Sequence, residues 1–225
     1  MEKTNRRVYL RLTNACNRQC KFCCFSGDPK VVGEMSVGTV QDIINRELAM
    51  HVEDKYLRVV LTGGEPTLCK NLKEIINELR QHHIIRIVLE TNGSMLDSEE
   101  FKDLLPNFIH KHFIKLALHS DAIDNDPETI QKIIEFTKMA KESGIRYLLN
   151  VRYYDETDKE RLRSFIEEHE LKPDFGEVYY YPIHSLNLYR DGTLPEYGIP
   201  YITYDYDGQV LIWSDGKTQD YCHSV

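Results

Sequence analysis

Three cysteines, Cys16, Cys20 and Cys23, stand at the spacing C-x3-C-x2-C, and Cys24 follows the third directly. Four of the chain's six cysteines therefore fall within nine positions. Thiols gathered this closely can form a disulfide knot, ligate zinc or hold an iron–sulfur cluster. Structural zinc takes four ligands, usually as two separated pairs. Here the second pair is missing, because Cys69 and Cys222 stand alone and far apart. Cys24 would complete a zinc site only if two adjacent residues aimed at one ion. Three thiolates on one loop suit instead a cubane cluster with three irons held by protein and one left open for a ligand. A zinc or electron-transfer site is the plainer alternative.

Further segments with chemical potential come at intervals along the chain. In "TGGEPTL", residues 62–68, Gly63 and Gly64 let backbone approach a ligand more closely than a Cβ would permit. Alone, Gly-Gly-Glu-Pro is also an ordinary turn. "ETNG", residues 90–93, reads either as ligand contacts or as an Asn-Gly turn. "LALHSDAID" carries His119, Ser120 and Asp121. In "LLNVRYY", Asn150 and Arg152 alternate with apolar neighbours and share one strand face. A polar pair on a buried strand needs partners. The guanidinium fork suits a carboxylate, whether of a ligand or of a helix acid.

The elements that must position these residues alternate in period. Strands are expected over Arg7–Thr13, Tyr56–Thr62, Arg86–Thr91, Phe113–Leu118, Tyr147–Tyr153 and Val178–Tyr181. Between them run helical patterns. Ser36 caps a helix carrying Val40, Ile43, Ile44 and Leu48, and Leu72, Ile75, Ile76 and Leu79 make the next amphipathic face. A short helix spans Asp97–Leu105, with Glu100 placed for a capping box. Asp126 and Pro127 open a helix that Gly144 ends, and the last runs from Thr157 to Glu170. Strands buried on both faces, each followed by a helix, predict a parallel sheet with right-handed crossovers. Five βα units and a sixth strand are too few for a closed eight-stranded barrel. The expected fold class is thus α/β, an open partial (βα)6 barrel with its ligand at the carboxyl ends of the strands. Nine of the fourteen tyrosines lie from Tyr179 onward, where helical periodicity stops. Asp207-Gly208 between two β-rich runs predicts a hairpin with a two-residue turn. The expected division is a core of 1–185 and a Tyr-rich β extension of the same domain over 186–225.

With these motifs in their places, the sequence resembles the radical S-adenosylmethionine (SAM) superfamily over about its first 185 residues. "CNRQCKFC" matches that family's CxxxCxxC motif, including Phe22 before the third cysteine. The resemblance implies one [4Fe–4S] cluster held by Cys16, Cys20 and Cys23, whose fourth iron chelates the amino and carboxylate groups of SAM. Reduction then breaks the sulfonium C–S bond, and the 5′-deoxyadenosyl radical takes a hydrogen atom from substrate. It implies further that Gly63, Gly64, Glu65 and Pro66 meet the SAM ammonium, and that Thr91 and Asn92 line the methionine end. Ser120 and Asp121 fall near a ribose contact, with the serine displaced by one place from the usual Ser-Leu-Asp-Ala. Asn150 and Arg152 are implied to reach the ribose and carboxylate.

Within the family the core is similar to the pyranopterin synthase and SPASM branch, but the cysteines for auxiliary clusters are absent. The substrate class that best suits the resemblance is a peptide, since an added β extension can offer an edge for strand pairing. Small metabolites or nucleotides are the alternative, as is a glycyl-radical activating enzyme. Carboxy-deazaguanine synthases share "ETNG" but not this cysteine loop. Cys222, in "QDYCHSV", is the candidate hydrogen-atom donor, because S–H bonds give up hydrogen readily. Cys24, Cys69 and Cys222 read equally as inert small hydrophobes.

Composition sets the outer limits. A chain of 225 residues, 41% hydrophobic and 28% charged, can bury a core. Its formal net charge of −8 argues against a broad nucleic-acid footprint. No apolar run reaches membrane-span length, and "MEKTNRRVYL" lacks the apolar stretch of a secretory signal. The expectation is a cytoplasmic protein with reduced thiols, which removes the disulfide knot from first place. Flavodoxin or ferredoxin is the expected reductant, landing on Arg18, Lys21 and Lys30.

Overall fold

A computed structural model describes residues 6–20, 22–23, 33–50, 55–183, 201–214 and 219–221. In chain order the elements are β1 (Arg7–Arg11), α1 (Val37–Met50), β2 (Leu57–Thr62), α2 (Leu72–Arg80), β3 (Ile85–Thr91), α3 (Glu99–Lys102), β4 (Phe113–His119), α4 (Ser120–Asn125), α5 (Pro127–Ser143), β5 (Tyr147–Tyr153), α6 (Glu156–Glu168), β6 (Val178–Pro182), β7 (Tyr201–Tyr204), β8 (Val210–Ser214) and β9 (Gln219–Tyr221). They fall into two compact units, Met1–Leu89 with Leu188–Val225, and Glu90–Asn187.

In the first unit β1 pairs in parallel with β2, and β2 with β3. One face of these strands is wholly apolar: Val8, Leu10, Leu57, Val59, Leu61, Ile85, Ile87 and Leu89 are all buried. Each such side chain contributes roughly 1.5–3 kcal/mol of burial, enough to fix the register, since a one-residue slip would expose the whole set. On its other edge β1 pairs in parallel with β7, and β7 and β8 run antiparallel. The Tyr-rich stretch therefore extends the sheet past β1, which hydrophobic pattern alone did not indicate. Helix α1 lies on the apolar face, because its fully buried Glu47 accepts a hydrogen bond from the Tyr204 hydroxyl of β7. The expected helix face included Leu48; Glu47 is the residue actually buried there, paired also with Arg6 at 3.4 Å.

Two expectations are corrected here. The hairpin at Asp207-Gly208 exists, but residues 205–209 connect its strands rather than two. A Gly208 N–H to Asp205 carbonyl bond and an Asp205 N–H to Gln209 carbonyl bond, both 2.8 Å, close it. A register shift between Thr203 and Tyr204 displaces the turn from its simplest form. The helix expected over Asp97–Leu105 is only α3, because Ser98, whose hydroxyl accepts from the Phe101 N–H, caps it one residue later than the capping box would. A 3-10 turn at Leu105–Phe108 then carries the chain onward.

In the second unit β5 pairs in parallel with both β4 and β6. Tyr147, Leu149, Val151 and Tyr153 form one face of β5. Helix α5 covers that face, where Phe136 meets Tyr147 edge-on at 6.2 Å and Phe101 at 6.1 Å. Asp126 caps α5 through the Thr129 N–H, and Gly144 ends it, as the pattern predicts. Asn150 and Arg152 consequently occupy the opposite face of β5, away from α5. Among the described residues no helix is long and apolar enough to cross a membrane.

Candidate functional site

The cysteine segment leaves β1 at its carboxyl end and is held there by main chain. The Leu12 N–H bonds to the Thr62 carbonyl, the Gly64 N–H to the Thr13 carbonyl, and the Glu65 N–H to the Ala15 carbonyl, each at 2.8 Å. The Gly-Gly-Glu turn after β2 thus docks directly on the residues that precede Cys16. Both glycines are required for that contact. A Cβ on Gly63 would stand 2.5 Å from the Thr13 carbonyl oxygen, and Gly63 has a φ of 152°, which side chains disfavour. A Cβ on Gly64 would stand 2.1 Å from the Ala15 carbonyl oxygen. The close approach read from the sequence is therefore, in the first instance, an approach to the cysteine loop.

Side chains reinforce the joint. The Glu65 carboxylate, 1% exposed, accepts from the Thr67 hydroxyl at 2.7 Å and the Thr67 N–H at 3.2 Å, capping a 3-10 turn that begins at Pro66. Asn14 accepts from the Gly33 N–H at 2.7 Å and ties the start of the loop to the chain beyond it. Nothing in the sequence singled out Asn14. Cys16 is buried, Cys20, Cys23 and Phe22 are half-buried, and none of the three cysteines is in a disulfide. Burial pushes the Cys16 thiol up, helped by the negative charges of Glu65 and Cys23; a hydrogen bond from the Arg18 N–H, 3.4 Å from Sγ, and the Arg18 charge oppose it. Such a thiol stays protonated until a cation displaces its proton.

Among the described residues no three His, Cys, Asp or Glu side chains converge on a single ion. Cys16, Cys20 and Cys23 share one loop, and cysteine thiolates are the donor type that holds iron–sulfur clusters. Cys69 is buried elsewhere in this unit, and its thiol is pushed up to about 11 by that burial, the condition of an inert side chain. Cys24, Cys222, Lys21 and Lys30 lie outside the described residues.

In the second unit the candidate residues are side chains rather than backbone. The Glu90 carboxylate accepts from Lys115 at 2.7 Å. The Thr91 hydroxyl accepts from the Gly93 N–H at 3.2 Å and the Asn92 side chain from the Ser94 N–H at 2.9 Å, so both support the turn after β3. At the end of β4, His119 Nδ1 accepts from the Ala122 N–H and caps α4, a helix the pattern did not foretell. Ser120 donates to Asp158, and Asp121 accepts from the Tyr154 hydroxyl at 2.6 Å. Both are thus engaged with the segment that opens α6.

Asn150 and Arg152 differ. Asn150 is 7% exposed, yet among the described residues its Oδ1 has no hydrogen-bond partner, and neither does the buried Nη1 of Arg152. Along β4, β5 and β6 the register aligns Ala117, Asn150 and Tyr179 in one row and His119, Arg152 and Tyr181 in the next. Arg152 lies over the Tyr181 ring, 4.7 Å from its centroid, and Tyr181 stacks on Tyr179 at 6.3 Å. A buried acceptor and a buried donor without partners cost roughly 1–3 kcal/mol each, and they fit a polar ligand with both functions. Among the described residues no helix acid pairs with Arg152.

The sequence pattern of the Radical SAM superfamily matches residues 10–166. The chain is 32% identical over 146 residues to a protein of Sulfurisphaera tokodaii named "Probable GTP 3',8-cyclase", a stretch covering 61% of this chain and 43% of that one. A protein of the same name from Saccharolobus solfataricus is 29% identical over 193 residues, covering 80% and 57%. The chain thus spans about half the length of these curated relatives. Among solved structures, Streptococcus suis SuiB bound to precursor peptide SuiA superposes with a TM-score of 0.66 at 15% identity, over 92% of this chain and 59% of that one. That likeness shows the fold: α/β, parallel, of the open partial-barrel class.

Proposed function

The chain belongs to the radical SAM superfamily and is an enzyme, and from that premise we propose that Cys16, Cys20 and Cys23 hold one [4Fe–4S] cluster. Bound there, the cluster would pass one electron from an external reductant to SAM, for cleavage to methionine and a 5′-deoxyadenosyl radical able to abstract a hydrogen atom from substrate. The observation that carries this reading is the main-chain joint between the Gly-Gly-Glu turn and the cysteine loop. It sets the loop at the carboxyl end of β1 and β2 through main chain alone. The backbone at Gly63 and Gly64, with Glu65 and Pro66, is the proposed seat of the SAM ammonium. Asn150 and Arg152 offer an unsatisfied acceptor and donor to its ribose and carboxylate. Thr91, Asn92, Ser120 and Asp121 shape the surrounding turns. Arg18 is proposed to help receive a flavodoxin or ferredoxin.

For the substrate, the β extension supports a peptide, and the peptide complex of the fold neighbour SuiB is compatible with it. A small anionic substrate of nucleotide type is the second reading. The names of the curated relatives and a row of arginines in the first unit favour it.

Anaerobic reconstitution followed by assay for 5′-deoxyadenosine with SAM and dithionite tests the reaction. The expected result is about four irons and four sulfides per chain, with 5′-deoxyadenosine formed by the wild type and lost in Cys16→Ala. Zinc in place of iron, with no cleavage product, would overturn it.

A further inference from the structure

Three arginines occupy one register row in the first unit. Arg7 of β1 is the Cα partner of Arg58 in β2, and Arg58 is the partner of Arg86 in β3. They lie on the face opposite the one that packs on α1, near the amino-terminal ends of the strands. Neighbouring strands stand about 4.8 Å apart, so three positive charges line up across roughly 10 Å. Like charges directly opposite one another on a sheet are destabilising. The arginines adjacent in the chain have acids to meet: Arg6 pairs with Glu47 and Arg11 with Asp205, at 3.4 and 3.2 Å. Among the described residues no carboxylate pairs with Arg7, Arg58 or Arg86. Arg86 rests on the Tyr56 ring, 3.7 Å from its centroid, which orients the guanidinium without neutralising it. The next row toward the carboxyl ends is Tyr9, Val60 and Val88, and it contributes no acid. All three arginines are half-buried, so the row is in reach of solvent.

We propose that this row is an anion site for the phosphate groups of an oligophosphate-bearing substrate. The inference rests on the small-anion reading of the substrate given above and assigns residues to it. Three guanidinium forks rooted within about 10 Å can converge on the several anionic oxygens of a di- or triphosphate, whereas a lone carboxylate would answer one arginine only. An acidic reductant is the poorer occupant. From Arg58 to Gly63 is five residues, or about 16 Å along β2, a long way from the cysteine loop for electron transfer.

Isothermal titration of the reconstituted full chain with inorganic tripolyphosphate, in low salt and without SAM or reductant, tests the site. The wild type is expected to bind one equivalent, with Arg58→Gln weakening it about tenfold or more, as loss of one charge-assisted contact would. Arg7→Gln, at the end of the row, gives the same loss and covers the case in which the central substitution does not fold. Hexaglutamate, titrated in parallel, is expected to bind at least about tenfold more weakly. No tripolyphosphate binding by the wild type, equal affinity in wild type and folded variants, or hexaglutamate binding as tightly would overturn the proposal. Because neither SAM nor reductant is present, absence of 5′-deoxyadenosine in the earlier assay would overturn the reaction and leave this titration standing.

Discussion

The two units build their candidate sites from different materials. In the first, backbone is pressed against backbone: N–H groups of Gly64 and Glu65 meet carbonyls of Thr13 and Ala15, and no Cβ fits at either glycine. In the second, the strand backbone is ordinary and the distinctive atoms are Asn150 Oδ1 and Arg152 Nη1, buried without partners among the described residues. A backbone joint is all or nothing, because any side chain destroys it. A side-chain site is graded, because each group can be removed singly while the strand survives. The contrast predicts where substitutions will be catastrophic and where they will be informative.

Gly64→Ala should have the largest effect. Its Cβ would meet a carbonyl oxygen that cannot swing aside, so the cysteine loop must move. Iron loading after anaerobic reconstitution is expected to fall below about a tenth of wild type, with several kcal/mol lost in denaturant unfolding. Normal loading would break the comparison, showing that the loop is not set by this joint.

Asn150→Ala should sharpen the comparison from the other side. Removing an unsatisfied buried acceptor is expected to leave stability unchanged or slightly raised, while SAM affinity measured by titration drops about tenfold. Arg152→Gln should cost a similar factor. If Asn150→Ala instead lowers stability by more than about 1 kcal/mol with SAM affinity intact, the residue serves the strand and not a ligand.

The effect most remote from the comparison, confined to alkaline pH, concerns a thiol that neither arrangement uses. Burial raises Cys69 from 9.0 to about 11, so the folded chain holds that proton more tightly than the unfolded one. Its stabilisation is whole below pH 9 and is lost as pH rises through 11, on the order of 2 kcal/mol. Unfolding midpoints followed from pH 8 to 11 should therefore fall more steeply for wild type than for Cys69→Ala. Equal slopes would show that Cys69 titrates as though exposed.

Much of this was legible in the sequence, for physical reasons that differ by region. The alternation of Val8, Leu10, Leu57, Val59 and Leu61 and the helical spacing of Leu72, Ile75, Ile76 and Leu79 announce their elements, because burial imposes those periods. Asp126 announces a helix start, since its carboxylate reaches the Thr129 N–H within the same turn. What pattern could not carry was contact between distant segments. Glu47 looks like a surface residue until Tyr204, 157 positions away, is known to sit over it. Ser120 and Asp121 read as ligand contacts, and no local pattern shows that Asp158 and Tyr154 also hold them. The parallel pairing of β7 with β1 joins residues almost 200 apart and leaves no local trace.

That last pairing bears on how the molecule is made. The 90–187 unit is one uninterrupted stretch and can close as it leaves the ribosome. The other unit cannot: its first strand must wait through the synthesis of everything between before β7 arrives to cover its bare edge. During that interval Tyr204 has not yet reached Glu47, and the edge of β1 is open to whatever strand passes. A translation pause placed late in the message would lengthen that exposure and, with it, the risk that nascent chains pair with one another.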